Sequence, residues 1–231
     1  MNIFNYLPPM ETQLGILTVE SPLRSILERY EVEHKAFKGT IIDVETDEQP
    51  FRDESGAARY KKQCVVSCGI LDKDKVVVTA KTCNTSDEYY IHTVDEEVRK
   101  TSHPYYAFNC GCDMAHLSRL LAREIPFDCE LSLPLKDKYE KKQYVAEDLG
   151  IPNFDDPFNG IGKLAGVEWT KHLKTGEIDC VKRIMAHNLA CVLKEYAILL
   201  RRGYREVENG SIKPFFEGRS ELIYRNHKRL Y

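Results

Sequence analysis

No run in this chain approaches the ~18 apolar residues that a membrane-spanning helix requires. The first residues, Met1-Asn2-Ile3-Phe4-Asn5, lack a basic segment leading into an apolar one, so a secretory leader is not expected. An excess of positive charge is also missing. With 33 Lys and Arg against 36 Asp and Glu, the formal net charge is −3 and the pI about 6.2. That balance argues against wholesale electrostatic attraction to polyanions, though it leaves room for a local basic groove. Paired C-x2-C knuckles are absent too. The eight cysteines (64, 68, 83, 110, 112, 129, 180 and 191) fall in C-x3-C, C-x-C and singleton spacings, which do not make a structural zinc site. Most sit in apolar runs, where cysteine behaves as a small buried hydrophobe, with disulfides as the alternative. There is no internal repeat, low-complexity segment or evident linker. A chain of 231 residues, 42% hydrophobic and 30% charged, is expected to form one cytoplasmic domain.

The apolar periodicity predicts its elements. Ser21-Pro22 followed by Leu23, Ile26, Leu27 and Tyr30 combines a cap, a first-turn proline and a helical stripe. Strands are expected at about residues 39–46, 62–71 and 75–82, the last two joined by a turn at Asp72-Lys73-Asp74. A polar helix over 86–100, a short strand at 104–108 and a helix over 113–124 follow, the last with Met114, Leu117, Leu120 and Leu121 inward. A fifth strand is read at 127–133, and helices at 138–149, 163–174 and 178–202. Hairpin-linked strands followed by strand, helix, strand and helices give a mixed α/β sheet. A ribonuclease-H-like sheet has that order: three antiparallel strands, then strands parallel to the first. The expected fold is thus a five-stranded mixed sheet flanked by helices.

Three stretches carry candidate chemistry. Thr40-Ile41-Ile42-Asp43-Val44-Glu45-Thr46-Asp47 is an apolar strand start ending in a D-x-E pair. Side chains alternate along a strand, so Asp43 and Glu45 share a face, where their repulsion is relieved by a hard divalent cation. The spacing alone is weak, because Asp95-x-Glu97 and Asp128-x-Glu130 repeat it. What distinguishes the first pair is its place at a strand's C-terminal end, before a polar loop over 47–60. The second stretch, Phe108-Asn109-Cys110-Gly111-Cys112-Asp113, brings Asp113 to a helix start, where an aspartate also serves simply as a dipole partner. The third, Met185-Ala186-His187-Asn188-Leu189-Ala190-Cys191, puts His187 and Cys191 on one helix face.

Over about residues 39–202 these stretches resemble the DEDD 3′–5′ exonucleases of the ribonuclease-H-like superfamily, in the branch predicted from genome context beside helicases and polymerases. Asp43 to Thr46 is similar to the first motif, Asn109 to Asp113 to the second, and Gly176 followed by His187-Asn188 to the third. The resemblance implies two Mg²⁺ or Mn²⁺ ions, with Asp43 bridging them, Glu45 on the attacking-water side and Asp113 supporting the second. His187 would orient or deprotonate the water. It also implies DNA or RNA 3′ ends as substrate, with replication or repair proteins as partners. The family's third motif carries an aspartate where this chain has Cys191, a poor Mg²⁺ ligand; water or Glu195, one turn on, would fill the gap. That departure keeps a second reading open, a weak or silent relative that binds nucleic acid or acts as a scaffold.

Arg201, Arg202, Arg205, Lys213, Arg219, Arg225, Lys228 and Arg229 lie among Tyr204, Phe215, Phe216 and Tyr224. Basic residues interleaved with aromatics suit phosphate contact and base stacking; a solvated surface with packed aromatics is the plainer alternative. Arg201, Arg202 and Arg205, with Asn109, are the candidate nucleic-acid contacts. The chain divides into an N-terminal helical extension (1–38), the exonuclease domain (39–202) and a basic, aromatic tail (203–231) packed on it.

Overall fold

The structure is a computed structural model that describes residues 11–13, 15–47, 63–133 and 140–207. Eight strands form one sheet: β1 (Glu11–Gln13), β2 (Ile16–Pro22), β3 (Thr40–Thr46), β4 (Val65–Leu71), β5 (Lys75–Lys81), β6 (Tyr105–Ala107), β7 (Cys129–Glu130) and β8 (Arg205–Glu206). Their order is β1-β2-β5-β4-β3-β6-β7-β8. β3, β4 and β5 pair antiparallel, whereas β6 runs parallel to β3 and β7 parallel to β6.

Alternation along β3 decides what each face receives. Ile41 joins the apolar cluster on one face, and Ile42 joins the cluster on the other. The helices α1 (Leu23–Arg29), α5 (Lys163–Thr175) and α6 (Ile178–Arg202) contribute to the first cluster. The second is closed by α2 (Asp87–Arg99) and α3 (Cys110–Leu120), with Tyr90, Val94, Val98, Leu117 and Leu121 pointing inward. A short helix, α4 (Lys142–Asp148), packs beside α6. α6 is buried over most of its length, which is why its apolar residues run nearly all round it. Because Asp43 and Glu45 follow Ile41 at steps of two, they emerge on the α6 face.

Among the described residues the strand count is eight, where five were expected. β2 is the main omission: Ile16 to Pro22 pairs in register with Lys81 to Lys75, so the 1–38 segment is sheet as well as helix. Ser21 accordingly lies in β2, and Pro22 precedes α1 without a side-chain cap. α3 starts at Cys110, three residues before the expected point, so Asp113 lies in its first turn. All eight cysteines are free thiols, five of them buried. Among the described residues, no helix is long and apolar enough to cross a membrane.

Candidate active site and metal centre

A cleft of about 800 Å³ opens between the C-terminal end of β3, α4, α6 and the connection before α5. Asp43, Glu45, Asn109, Lys142, Gly162, His187, Cys191 and Lys194 are among the residues that line it. Asp43 is held on both oxygens. Its Oδ1 lies 2.6 Å from Lys142 Nζ, and its Oδ2 accepts a 2.6 Å hydrogen bond from Asn188 Nδ2. Asn188 is in turn fixed by Ser67, whose hydroxyl donates to Oδ1 at 3.0 Å. The helix is therefore keyed to the sheet at the residue that carries the candidate carboxylate.

Asp113 reaches the same strand from the other side. Its Oδ1 accepts from the Val44 amide at 3.1 Å, beside Asp43, but it does not line the cleft. Burial and the charge of Asp43 push its carboxyl well above the usual range. Glu45 is raised as well, by burial first and by Asp43, with His187 pulling the other way. Glu195 is fully buried and pairs with Lys142 Nζ at 2.5 Å. The one ammonium thus stands between Glu195 and Asp43. Burial works against the charge on Lys142, but Asp43 and the surrounding anionic groups raise its pKa well above that of a free lysine.

His187 is 2% exposed and caught between two carboxylates. Its Nδ1 lies 2.7 Å from Asp156 Oδ1, and its Nε2 lies 3.4 Å from Glu45 Oε1 and 3.7 Å from Cys191 Sγ. Although burial alone would lower its pKa, Glu45 and Asp156 hold it raised. Asp156 also accepts from Lys194 Nζ at 2.8 Å and from the amides of Phe158 and Gly160, both at 2.9 Å. Burial opposes ionisation there, yet His187 and Lys194 keep the Asp156 carboxyl well below its normal range. An ionised carboxylate only accepts, so Nδ1 carries the proton and Nε2 faces Glu45 and Cys191. Burial pushes the Cys191 thiol well up.

The other predicted residues sort clearly. Asn109 is left-handed (φ 65°) at the β6–α3 turn, and its amide donates to Glu130 Oε1 at 2.8 Å. Glu130 also accepts from Cys110 and Ser132, and Asp95 pairs with Arg99 and Arg123, so both rival D-x-E pairs contain structural members. Arg201 donates to the Leu149 carbonyl, and Arg202 to the Leu131 carbonyl and to Glu140. Arg205 donates to the Ser132 carbonyl. Arg201 and Arg202 fasten the end of α6, and Arg205 fastens β8, to their neighbours; none of the three lines the cleft. The loop over 48–60 and the tail from Lys213 to Arg229 lie outside the described residues.

Sequence reasoning missed Lys142, Asp156 and Lys194. One signal was available: His187, Cys191, Lys194 and Glu195 recur at i, i+4, i+7 and i+8, a polar stripe along a stretch (184–199) whose other residues are mostly apolar. No family model, curated protein or solved structure matches this chain.

Proposed function

We propose that this chain is a ribonuclease-H-like, metal-dependent 3′–5′ exonuclease acting on DNA or RNA ends. One observation carries the reading. The order β5-β4-β3-β6-β7, antiparallel in its first three strands and parallel thereafter, delivers Asp43 and Glu45 to the cleft that also receives His187 and Cys191. A ribonuclease-H-like sheet has that strand order, and phosphodiester hydrolysis needs anchored positive charge and an activated water.

The donor set fits one hard ion better than two. Asp43 and Glu45 line the cleft with carboxylates of the kind Mg²⁺ or Mn²⁺ prefers, Asp43 already holding Lys142 and Asn188, whereas Asp113 is turned to the strand backbone and position 191 offers sulfur. When bound, such an ion supplies Lewis-acid polarisation and a more acidic water. The chain's own residues do the rest. Asp156 holds the His187 ring with Nε2 toward Glu45, the position from which it would take a proton from a water entering the cleft. Lys142, paired with Asp43, is a fixed cation at the cleft wall, able to offset phosphate charge.

A silent nucleic-acid-binding relative is the second reading, favoured by the Asp43–Lys142–Glu195 arrangement, in which a cation is already built in. Wild type and Asp43→Asn, incubated with 3′-labelled single- and double-stranded DNA and RNA in Mg²⁺, Mn²⁺ or neither, separate the two. The expected result is metal-dependent shortening from the 3′ end, reduced roughly a hundredfold or more in the variant, the scale of losing one group that stabilises transition-state charge. Equal cleavage by both proteins in every condition would sink the nuclease reading of β3. Tight binding without cleavage by either selects the silent relative.

A further inference from the structure

Cys191 brings a sulfur beside Glu45 and His187, a donor set distinct from the all-oxygen one around Asp43. Glu45, His187 and Cys191 each present one ligand atom, and the three atoms lie within 4.8 Å of one another. We propose that Glu45, His187 and Cys191 form a Zn²⁺ site, with three protein ligands and an open fourth position facing the cleft. This goes beyond the exonuclease reading: a Zn²⁺ bound here would occupy Glu45 and the His187 Nε2 lone pair that reading uses, so the zinc form is a separate state of the cleft and its binding is measured apart from cleavage.

Two of the three ligand separations are those of a tetrahedral zinc site, and the third lies within 4.8 Å. With Zn–N and Zn–O near 2.1 Å and Zn–S near 2.3 Å, tetrahedral angles separate nitrogen from oxygen by about 3.4 Å and sulfur from nitrogen by about 3.6 Å. Here Nε2 and Glu45 Oε1 are 3.4 Å apart, and Cys191 Sγ and Nε2 are 3.7 Å apart. The ligands need little movement to close on an ion.

The surroundings are those a metal-ligating histidine requires. Asp156, with its other oxygen on Lys194, accepts the Nδ1 proton at 2.7 Å, which fixes the ring and leaves Nε2 free to give its lone pair. Thiolate, imidazole and carboxylate together favour borderline Zn²⁺ over Mg²⁺. Two anionic ligands also balance the ion's charge in a site where all three residues are buried. Gly162 lies beside the pair: a Cβ there would sit in ordinary van der Waals contact, 3.7 Å from His187 Nε2 and 4.0 Å from Glu45 Oε2.

The test uses the full chain in a Cys64→Ser/Cys83→Ser background, which removes the two exposed thiols as scavengers. After chelator treatment, Zn²⁺ is titrated in competition with a chromophoric chelator, and Co²⁺ is titrated in parallel as a spectroscopic stand-in. The expected result is one ion per chain and a thiolate-to-cobalt charge-transfer band. Cys191→Ser should abolish the band and weaken Zn²⁺ at least about tenfold. Asp156→Asn, which alters a positioning residue, should keep the band and weaken binding by about 10–100-fold. No uptake at micromolar Zn²⁺, or a band that survives Cys191→Ser, overturns the proposal. Should Cys191→Ser fail to fold, X-ray absorption on the zinc-loaded parent decides: one sulfur at about 2.3 Å supports the site, and a shell without sulfur ends it.

Discussion

Lys142 sets the energetics of the cleft at the scale of single residues. Its ammonium lies 2.6 Å from Asp43 and 2.5 Å from Glu195, and Glu195 Oε2 has no hydrogen-bond partner among the described residues. Two carboxylates drawn into one buried place would repel each other, and the lysine converts that repulsion into attraction. Breaking such an arrangement from one side costs about 3–5 kcal/mol, whereas replacing charged partners together by apolar groups is often close to neutral. Lys142→Met should therefore destabilise the protein by about that amount in urea unfolding, and adding Glu195→Met should restore part of it. A single variant within about 0.5 kcal/mol of wild type would mean that the pair is solvated and that Glu195 is already protonated. Glu195 was visible in the sequence as a substitute ligand. Its actual partner was not, because Lys142 comes from a helix fifty residues earlier and meets it only in space.

Elements bring these residues together, and the contact that matters most is α6 against β4. Gly69 lets the helix close on the sheet. A Cβ at that position would lie 3.0 Å from Asn188 Oδ1 and 3.1 Å from Val192 Cγ1, tighter than ordinary packing. The same approach allows Ser67 to reach Asn188, and Asn188 to reach Asp43. Gly69→Val should force the helix outward at a cost of about 1–3 kcal/mol, typical of overpacking a filled interior. Gly69→Ala should cost less, since Asn188 can give by a few tenths of an ångström. Denaturant midpoints for the pair provide the check; a Val variant as stable as wild type would show that α6 is not pinned at this point. β3 and α6 were legible beforehand because each is an unbroken stretch without Gly or Pro, the first an apolar run ending in a D-x-E pair and the second too long for a strand. β2 was not, because Ser21-Pro22-Leu23 reads locally as a capped helix start, while its pairing is supplied by β5, about sixty residues away. β8, two residues long, offers no period to read.

The whole molecule divides its buried titratable groups between the two faces of the sheet. The α6 face carries the cleft; the α3 face carries His116, which is 4% exposed and is not among the residues of the cleft. The sequence exposed part of the first set, Asp43 and Glu45 through their D-x-E pair and His187 with Cys191 through their helical spacing. It gave no sign of the second, because a histidine between Ala115 and Leu117 looks the same whether its ring is wet or dry. Burial, aided by the charge of Arg119, lowers the His116 pKa from 6.5 to about 3. Arg119 Nη2 lies 3.1 Å from Nδ1, consistent with a neutral ring accepting that hydrogen bond. The sign of the effect on stability follows. Between about pH 6.5 and 3 the unfolded chain binds a proton at this histidine that the folded chain excludes, so its contribution is full above that window and is lost as the pH falls through it. At pH 5, 1.5 units below the unfolded value, the loss is about 2 kcal/mol. Buried carboxylates such as Glu45 and Asp113, whose pKa values are raised, act in the opposite direction. They are common to wild type and a His116→Gln variant and cancel in the difference between them. Urea unfolding of both proteins at pH 7 and pH 5 should accordingly find that wild type loses about 2 kcal/mol more than the variant. Equal losses would mean that the folded protein takes up the proton at His116, and that the α3 face admits water to the ring.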